Sequence, residues 1–391
     1  MSVKNYYADG GEQVVTDRLR TYFDRAPLFK WGGKLGAGAN GIVYKVFQQV
    51  EGKVRTLAVK IVPIDVDLGG NKSWDEEWGQ EHDYLPPEVE SLEGEKLWLR
   101  VHLLNDPLSQ KFEDIIHHRM RTWLFMEYAE NGGLERFVER HAEHYAGEPM
   151  PNRLLWRLFM CLIRGCIDMG YYNKNIDLKT TNFDALKSIE PGPLAHQDLG
   201  SHNVVLGDMS ADNTPEHNVT PMLKIIDFGE ADTIDSNEEP FNRNASQINV
   251  GEISRIMVYL ILLDTKAFKR VTVTIGGVTF NTFASAIYKR HNELVNAGID
   301  EDLLYLVYRG TSLENNVRPG LAELAEVVHD RVTNRGDRGV ERETDQAIKT
   351  RVFSLLYDAD TQPQKRDRDA DDRTDVVEED ESERRRLDET G

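Results

Sequence analysis

Cysteine is scarce: the 391 residues include only Cys161 and Cys166. Both lie in an apolar run with helical spacing, and five positions apart they point to different faces, so neither a disulfide between them nor a shared metal ion is natural. The pattern predicts two buried, reduced thiols and an intracellular compartment, cytoplasmic or nuclear. Long apolar runs are missing too. The longest, residues 256–263, is too short to cross a bilayer, and the polar residues 1–11 lack the apolar centre of a signal peptide. Net positive charge is also lacking: 47 Lys and Arg stand against 67 Asp and Glu, a formal charge of −20. An acidic surface repels nucleic-acid backbones and anionic membranes, and no basic patch in the folded part offsets it. Neither nucleic acid nor a membrane is expected as a partner, and the charge reads as solubility.

What is present divides the chain. Hydrophobic residues make up 40% of it, enough for one large domain or two lobes with cores of their own. Residues 28–36 and 42–49 alternate apolar and polar positions around a glycine-rich turn, and 56–62 add a third strand, so an antiparallel sheet is expected. Residues 71–84, polar with scattered tryptophans, read as an insertion. Pro86 and Pro87 suit the first turn of a helix running to residue 104, and 123–128 read as a buried strand. Beyond Ala129 the period turns helical, over 134–146 and 153–169. Short strands flank loops at 196–206 and 223–227; helices then resume at Gly251 and continue to Tyr357. From Asp358 the chain is mostly Asp, Glu, Arg and Lys and cannot support a core. The expected class is α+β: an N-terminal extension (1–27), a β-rich lobe (28–129), a helical lobe (130–357) and a disordered charged tail (358–391). The basic pairs and triplets of that tail are diluted by acidic neighbours and read as solvating.

Four short stretches carry chemistry. In Leu35-Gly36-Ala37-Gly38-Ala39-Asn40-Gly41-Ile42-Val43, the glycines Gly36, Gly38 and Gly41 let backbone amides approach a polyphosphate. A ligand-free hairpin turn gives the same letters, but strands on both sides set this loop apart from a dinucleotide fold. Leu57-Ala58-Val59-Lys60 places a lysine on the third strand, where its cation can hold phosphate oxygens; an ordinary edge lysine is the plain alternative. Such a lysine needs a carboxylate to hold it. Glu88, Glu90, Glu93 and Glu95 compete on the 86–104 helix, and Glu95 is chosen because Leu92 and Leu99 frame it on the apolar face. His196-Gln197-Asp198-Leu199-Gly200-Ser201-His202-Asn203 offers Asp198 to an attacking hydroxyl and Asn203 to a metal ion. Ile225-Ile226-Asp227-Phe228-Gly229 ends an apolar strand on a carboxylate suited to Mg²⁺.

In this order the four stretches resemble the signature set of the protein kinase superfamily, from about Phe29 to Tyr357. The resemblance implies a bilobal kinase-like fold that binds ATP and Mg²⁺ between the lobes. It implies Asp198 as catalytic base, Asn203 and Asp227 as metal ligands, and Lys60, paired with Glu95, as the phosphate-holding lysine. Met126 stands as the gatekeeper before the hinge Glu127-Tyr128-Ala129, while Leu35, Val43, Ala58 and Val205 would sandwich adenine. Phe228, His196 and Leu99 would stack in the regulatory spine.

Departures from the family pattern bear on the acceptor. Gln197 replaces the arginine that commonly precedes the aspartate, so activity is not expected to require a phosphate on the following segment. Gly200 stands where serine/threonine kinases carry lysine, and the tyrosine-kinase alternative is also absent. No Ala-Pro-Glu follows Asp227, and either Asn249 or Glu252 stands in for the aspartate that opens the next helix. Val317-Arg318-Pro319 reads as a structural turn, and residues 173–193 form a polar insert before the catalytic loop. A protein substrate with serine or threonine as acceptor is the first expectation. A small-molecule kinase of the aminoglycoside or choline type is the alternative, since those enzymes share the His-x-Asp-x-x-x-x-Asn loop and the following Ile-Asp. A pseudokinase binding module is a third, against which stand Lys60, Asp198, Asn203 and Asp227 together.

Overall fold

The computed structural model describes residues 11–26, 28–38, 41–50, 52–62, 122–171, 183–209, 214–234, 244–264 and 268–357. The 86–104 helix with Glu95 and Leu99, the 71–84 insertion and the tail from 358 lie outside the described residues.

Helix α1 (Gly11–Arg25) precedes four strands, β1 (Phe29–Gly38), β2 (Gly41–Val50), β3 (Lys53–Val62) and β4 (Thr122–Glu127), which form one antiparallel sheet in the order β1-β2-β3-β4. β-Branched residues favour these strands, and the two-residue period of the pleat separates their faces. On one face Ile42, Tyr44, Val46, Leu57, Val59 and Ile61 form a core with Leu19 and Phe23 of α1. Phe23 stacks on Trp31 with ring centroids 6.1 Å apart. The helix thus falls in the segment set apart as an extension and packs on the sheet. On the opposite face lie Val43, Ala58, Lys60 and Met126, in register through the pairs Val43↔Lys60 and Ala58↔Met126.

The remainder is mainly helical, which makes the chain an α+β protein with a β-rich N-terminal part and a helical C-terminal part. Helices α2 (Leu134–His144), α3 (Asn152–Tyr171) and α4 (Asp184–Ser188) lead to four short strands, β5 (Leu194–Ala195), β6 (Val204–Leu206), β7 (Leu223–Ile225) and β8 (Asp232–Thr233). After α5 (Ala245–Leu262) come strands β9 (Val271–Ile275) and β10 (Val278–Thr282). Helices α6 (Ser285–Lys289), α7 (His291–Asn296), α8 (Glu301–Gly310), α9 (Leu321–Asn334) and α10 (Asp345–Tyr357) follow. α3 is apolar nearly all round and buried almost throughout, as a central helix must be; it packs against α5, α9 and β7. No described helix is long and apolar enough to cross a membrane.

Two sequence expectations need correction here. The region after Leu263 is not continuously helical: β9 and β10 form a hairpin closed by Gly276 and Gly277 at φ 58° and 81°. Positive φ at both turn positions matches strand twist and selects glycine. The helix expected from Gly251 starts instead at Ala245, where the Asn244 side chain accepts the Gln247 amide N–H at 2.8 Å. The cap satisfies a donor that the helix leaves open, so the helix begins earlier than its apolar run. In the 173–193 insert, residues 173–182 lie outside the described residues, but Phe183 and Leu186 are buried in the main core. Both cysteines are free and buried, as expected. Arg318 donates to the Gln247 carbonyl at 2.6 Å and to that of Ser312, which makes the 317–319 turn a structural tie.

Candidate functional site

Two small antiparallel ribbons set the candidate loops side by side. β5 pairs with β8 and β6 with β7, so residues 196–203 and 226–231 leave adjacent strand ends. The Ile226 amide donates to the Asn203 carbonyl at 3.0 Å. His196 makes the second tie. It is fully buried, its Nδ1 accepts the Asp198 amide N–H at 3.4 Å, and its Nε2 therefore carries the proton donated to the Ile226 carbonyl at 3.1 Å. Burial pushes the His196 pKa below its usual value, which keeps the ring neutral for this arrangement. The ring also packs on Phe228, with centroids 4.7 Å apart, so two of the three expected spine residues meet; Leu99 lies outside the described residues.

Within the first loop, Asn203 Nδ2 donates to the Asp198 carbonyl at 2.8 Å and to Asp198 Oδ2 at 3.0 Å. That use of the amide nitrogen leaves Asn203 Oδ1 as the side-chain atom able to coordinate a cation. In the second loop, Asp227 adopts φ 63°, a left-handed conformation uncommon for a residue with a side chain, and Gln197 beside Asp198 adopts the same value. Lys60, 4% exposed, donates from Nζ to Asp227 Oδ1 at 3.1 Å. The lysine is carried by the third strand and the aspartate by the end of β7, so this ion pair joins the sheet to the ribbons. Glu95, the partner expected for Lys60, lies outside the described residues.

The positions expected to line a nucleotide are distributed as follows. Gly36 pairs with Val43 and Gly38 with Gly41 across the β1–β2 hairpin, and a Cβ at either Gly36 or Gly38 would meet open space. Gly41 sits at φ 138°, within the range that favours glycine. Leu35 is exposed, Val43, Met126, Ala129 and Val205 are half-buried, and Ala58 is buried. Val205 bridges to Gly133, and Leu206 N–H donates to the Gly132 carbonyl at 2.8 Å, so the segment after β4 runs against β6. Glu127 sends its carboxylate to Lys224 Nζ at 2.5 Å, a side-chain link from β4 to β7.

Three supporting residues were not singled out or were left open by sequence. Asn249 takes the anchoring position, with Oδ1 accepting the His196 amide at 3.0 Å and Nδ2 donating to the Leu194 carbonyl at 3.0 Å. Glu252, one turn on, accepts the Leu199 amide; burial raises its pKa to about 7. Ser201 donates to Glu135 of α2 at 2.8 Å. Side-chain bonds to loop backbone leave no periodicity in the sequence, which is why spacing did not separate Asn249 from Glu252.

No protein-family model matches the chain, and no curated protein matches it. Function is read here from residues and geometry. Among the described residues no three or more His, Cys, Asp or Glu side chains gather as a metal-binding group. The donor set at the site, one carboxylate and one amide oxygen, fits a hard cation such as Mg²⁺ that takes its other ligands from phosphates and water; it does not suit zinc, which prefers four nitrogen and sulfur ligands.

Proposed function

We propose that this chain is an ATP- and Mg²⁺-dependent phosphotransferase of bilobal, protein-kinase-like build, soluble and intracellular, which passes the γ-phosphate of ATP to a hydroxyl group. The observation that carries the reading is the ion pair between Lys60 and Asp227, formed across 167 residues at 3.1 Å. A purely structural pair explains the contact but not the left-handed backbone at Asp227. Strain of that kind costs about 1–3 kcal/mol and gathers at sites where a side chain must be aimed.

Each residue then has a task. Lys60 holds phosphate oxygens from the position its Nζ takes beside Asp227, and Gly36 and Gly38, where a Cβ would meet open space, leave room for a phosphate to approach the hairpin. Asp227 and Asn203 Oδ1 would hold Mg²⁺, which would supply positive charge to offset that of the phosphate groups. Asp198 accepts the proton of the acceptor hydroxyl as that oxygen bonds to the γ-phosphorus; the bond to the β–γ bridging oxygen breaks and ADP departs. Most of the work is positioning and charge stabilisation, so each of these side chains matters.

A protein serine or threonine is the first acceptor proposed. A small alcohol or amino sugar is the second reading, favoured by the early start of α5 at Ala245, which leaves a short stretch after Gly229 for docking a peptide. Incubation with γ-labelled ATP and Mg²⁺ against generic proteins and a panel of small alcohols and amino sugars separates the two. Asp227→Asn should keep the fold and lower turnover by at least about 10²-fold. Equal turnover in this variant would remove Asp227, and with it the reading, from the site.

A further inference from the structure

Gly200 has no backbone reason to be glycine. Its φ of −116° and ψ of 174° are extended values that any residue adopts. What a side chain here could not share is the space of the neighbouring ring: a Cβ at Gly200 would stand 2.6 Å from His202 Cε1 and 2.7 Å from Nδ1, so the ring would have to move. Folded over the glycine, the imidazole brings Nε2 to 3.4 Å from Asp198 Oδ2, the oxygen that already receives Asn203 Nδ2 at 3.0 Å. Oδ2 is therefore faced by two donors. Among the described residues nothing hydrogen-bonds Oδ1, which is left for the acceptor. His202 is itself about half exposed and so open to the acceptor side.

We propose that His202 is a positioning residue for the base, seated in the space that Gly200 leaves, and that it supplies on the acceptor side a hydrogen-bond donor where serine/threonine kinases carry lysine at position 200. The proposal rests on the phosphotransferase reading and deepens it. A carboxylate on a single bond swings between rotamers; pinning one oxygen aims the other. Glycine at 200 and histidine at 202 are thus one device, in which the absence of one side chain makes room for the other.

The test is a double-mutant cycle in the full chain, with melting temperature checked for each variant. His202→Ala should lower kcat by about 10- to 100-fold with the KM for ATP unchanged. Gly200→Ala should do the same, because its Cβ displaces the ring, and the double variant should be no worse than either single one. Gly200→Lys in the His202→Ala background should recover much of the loss. Independently of activity, the ring ¹⁵N signals of His202 should move in Gly200→Ala and in Asp198→Asn. A wild-type kcat in His202→Ala, multiplying losses in the double variant, or ring signals that stay fixed would each overturn the proposal while Asp198→Asn remains inactive. If Asp198→Asn matches the wild type in transfer, the phosphotransferase reading falls and this proposal with it.

Discussion

Asn249 shows how much of the candidate site depends on one side chain outside its two loops. It is buried, and its amide satisfies the amide of His196 and the carbonyl of Leu194, both at the entrance to the loop of residues 196–203. Asn249→Ala leaves two buried backbone groups without partners, at roughly 1–3 kcal/mol each. Chemical denaturation should show a loss of about 2–5 kcal/mol, and turnover should fall because Asp198 hangs from the same loop. A loss below about 1 kcal/mol would mean that the loop is held by other groups. At this scale the sequence was informative about identity and silent about partnership. Lys60, Asp198, Asn203 and Asp227 stood out because each sits in a short stretch of its own. The packing of the His202 ring over Gly200 did not, because it is a contact that no spacing marks.

The elements are joined by buried charge. α3 carries Arg164, whose Nε donates to Glu216 in the 3₁₀ turn Pro215–His217, with both side chains essentially without exposure. Such a pair adds little over a well-packed apolar one, but breaking it strands a charge, so Glu216→Ala should cost about 3–5 kcal/mol in denaturation experiments. A double replacement of Arg164 and Glu216 by apolar residues of similar size should cost much less. α5 carries a buried carboxylate of another kind. Burial lifts the pKa of Glu252 from the usual 4.5 to about 7, with the Arg255 charge opposing and Asp198 adding to the rise. The folded chain therefore binds this proton more tightly than the unfolded chain, and the contribution favours folding at low pH. It is lost as the pH rises from 4.5 through 7. Glu252→Gln keeps an acceptor for the Leu199 amide without that penalty. Its stability relative to the wild type should rise between pH 5 and pH 8 by on the order of 2–3 kcal/mol, and a pH-independent difference would show that the carboxylate is not desolvated. The hairpin β9–β10 was legible at this scale in principle: alternating β-branched residues around Gly276-Gly277 are a hairpin signal. Reading the surroundings as helical overrode it.

For the molecule as a whole, two separate apolar cores, one between α1 and the sheet and one through the helical part, fit a two-lobed arrangement. The Lys60–Asp227 pair and the link from Glu127 to Lys224 tie the sheet to the ribbons of the helical part. The α+β class and the order of strands then helices were legible because the apolar period changes from two to three and four at Ala129. The packing of α1 on the sheet was not, since nothing local marks which surface a helix covers. The central claim is that Asp198 acts as base in transfer of the γ-phosphate, and the most direct measurement is the single-turnover rate of that transfer from MgATP in the wild type and in Asp198→Asn. The account predicts unchanged ATP affinity, unchanged melting temperature and a rate lowered by at least about 10²-fold in the variant; a folded Asp198→Asn protein that transfers phosphate at the wild-type rate would contradict it.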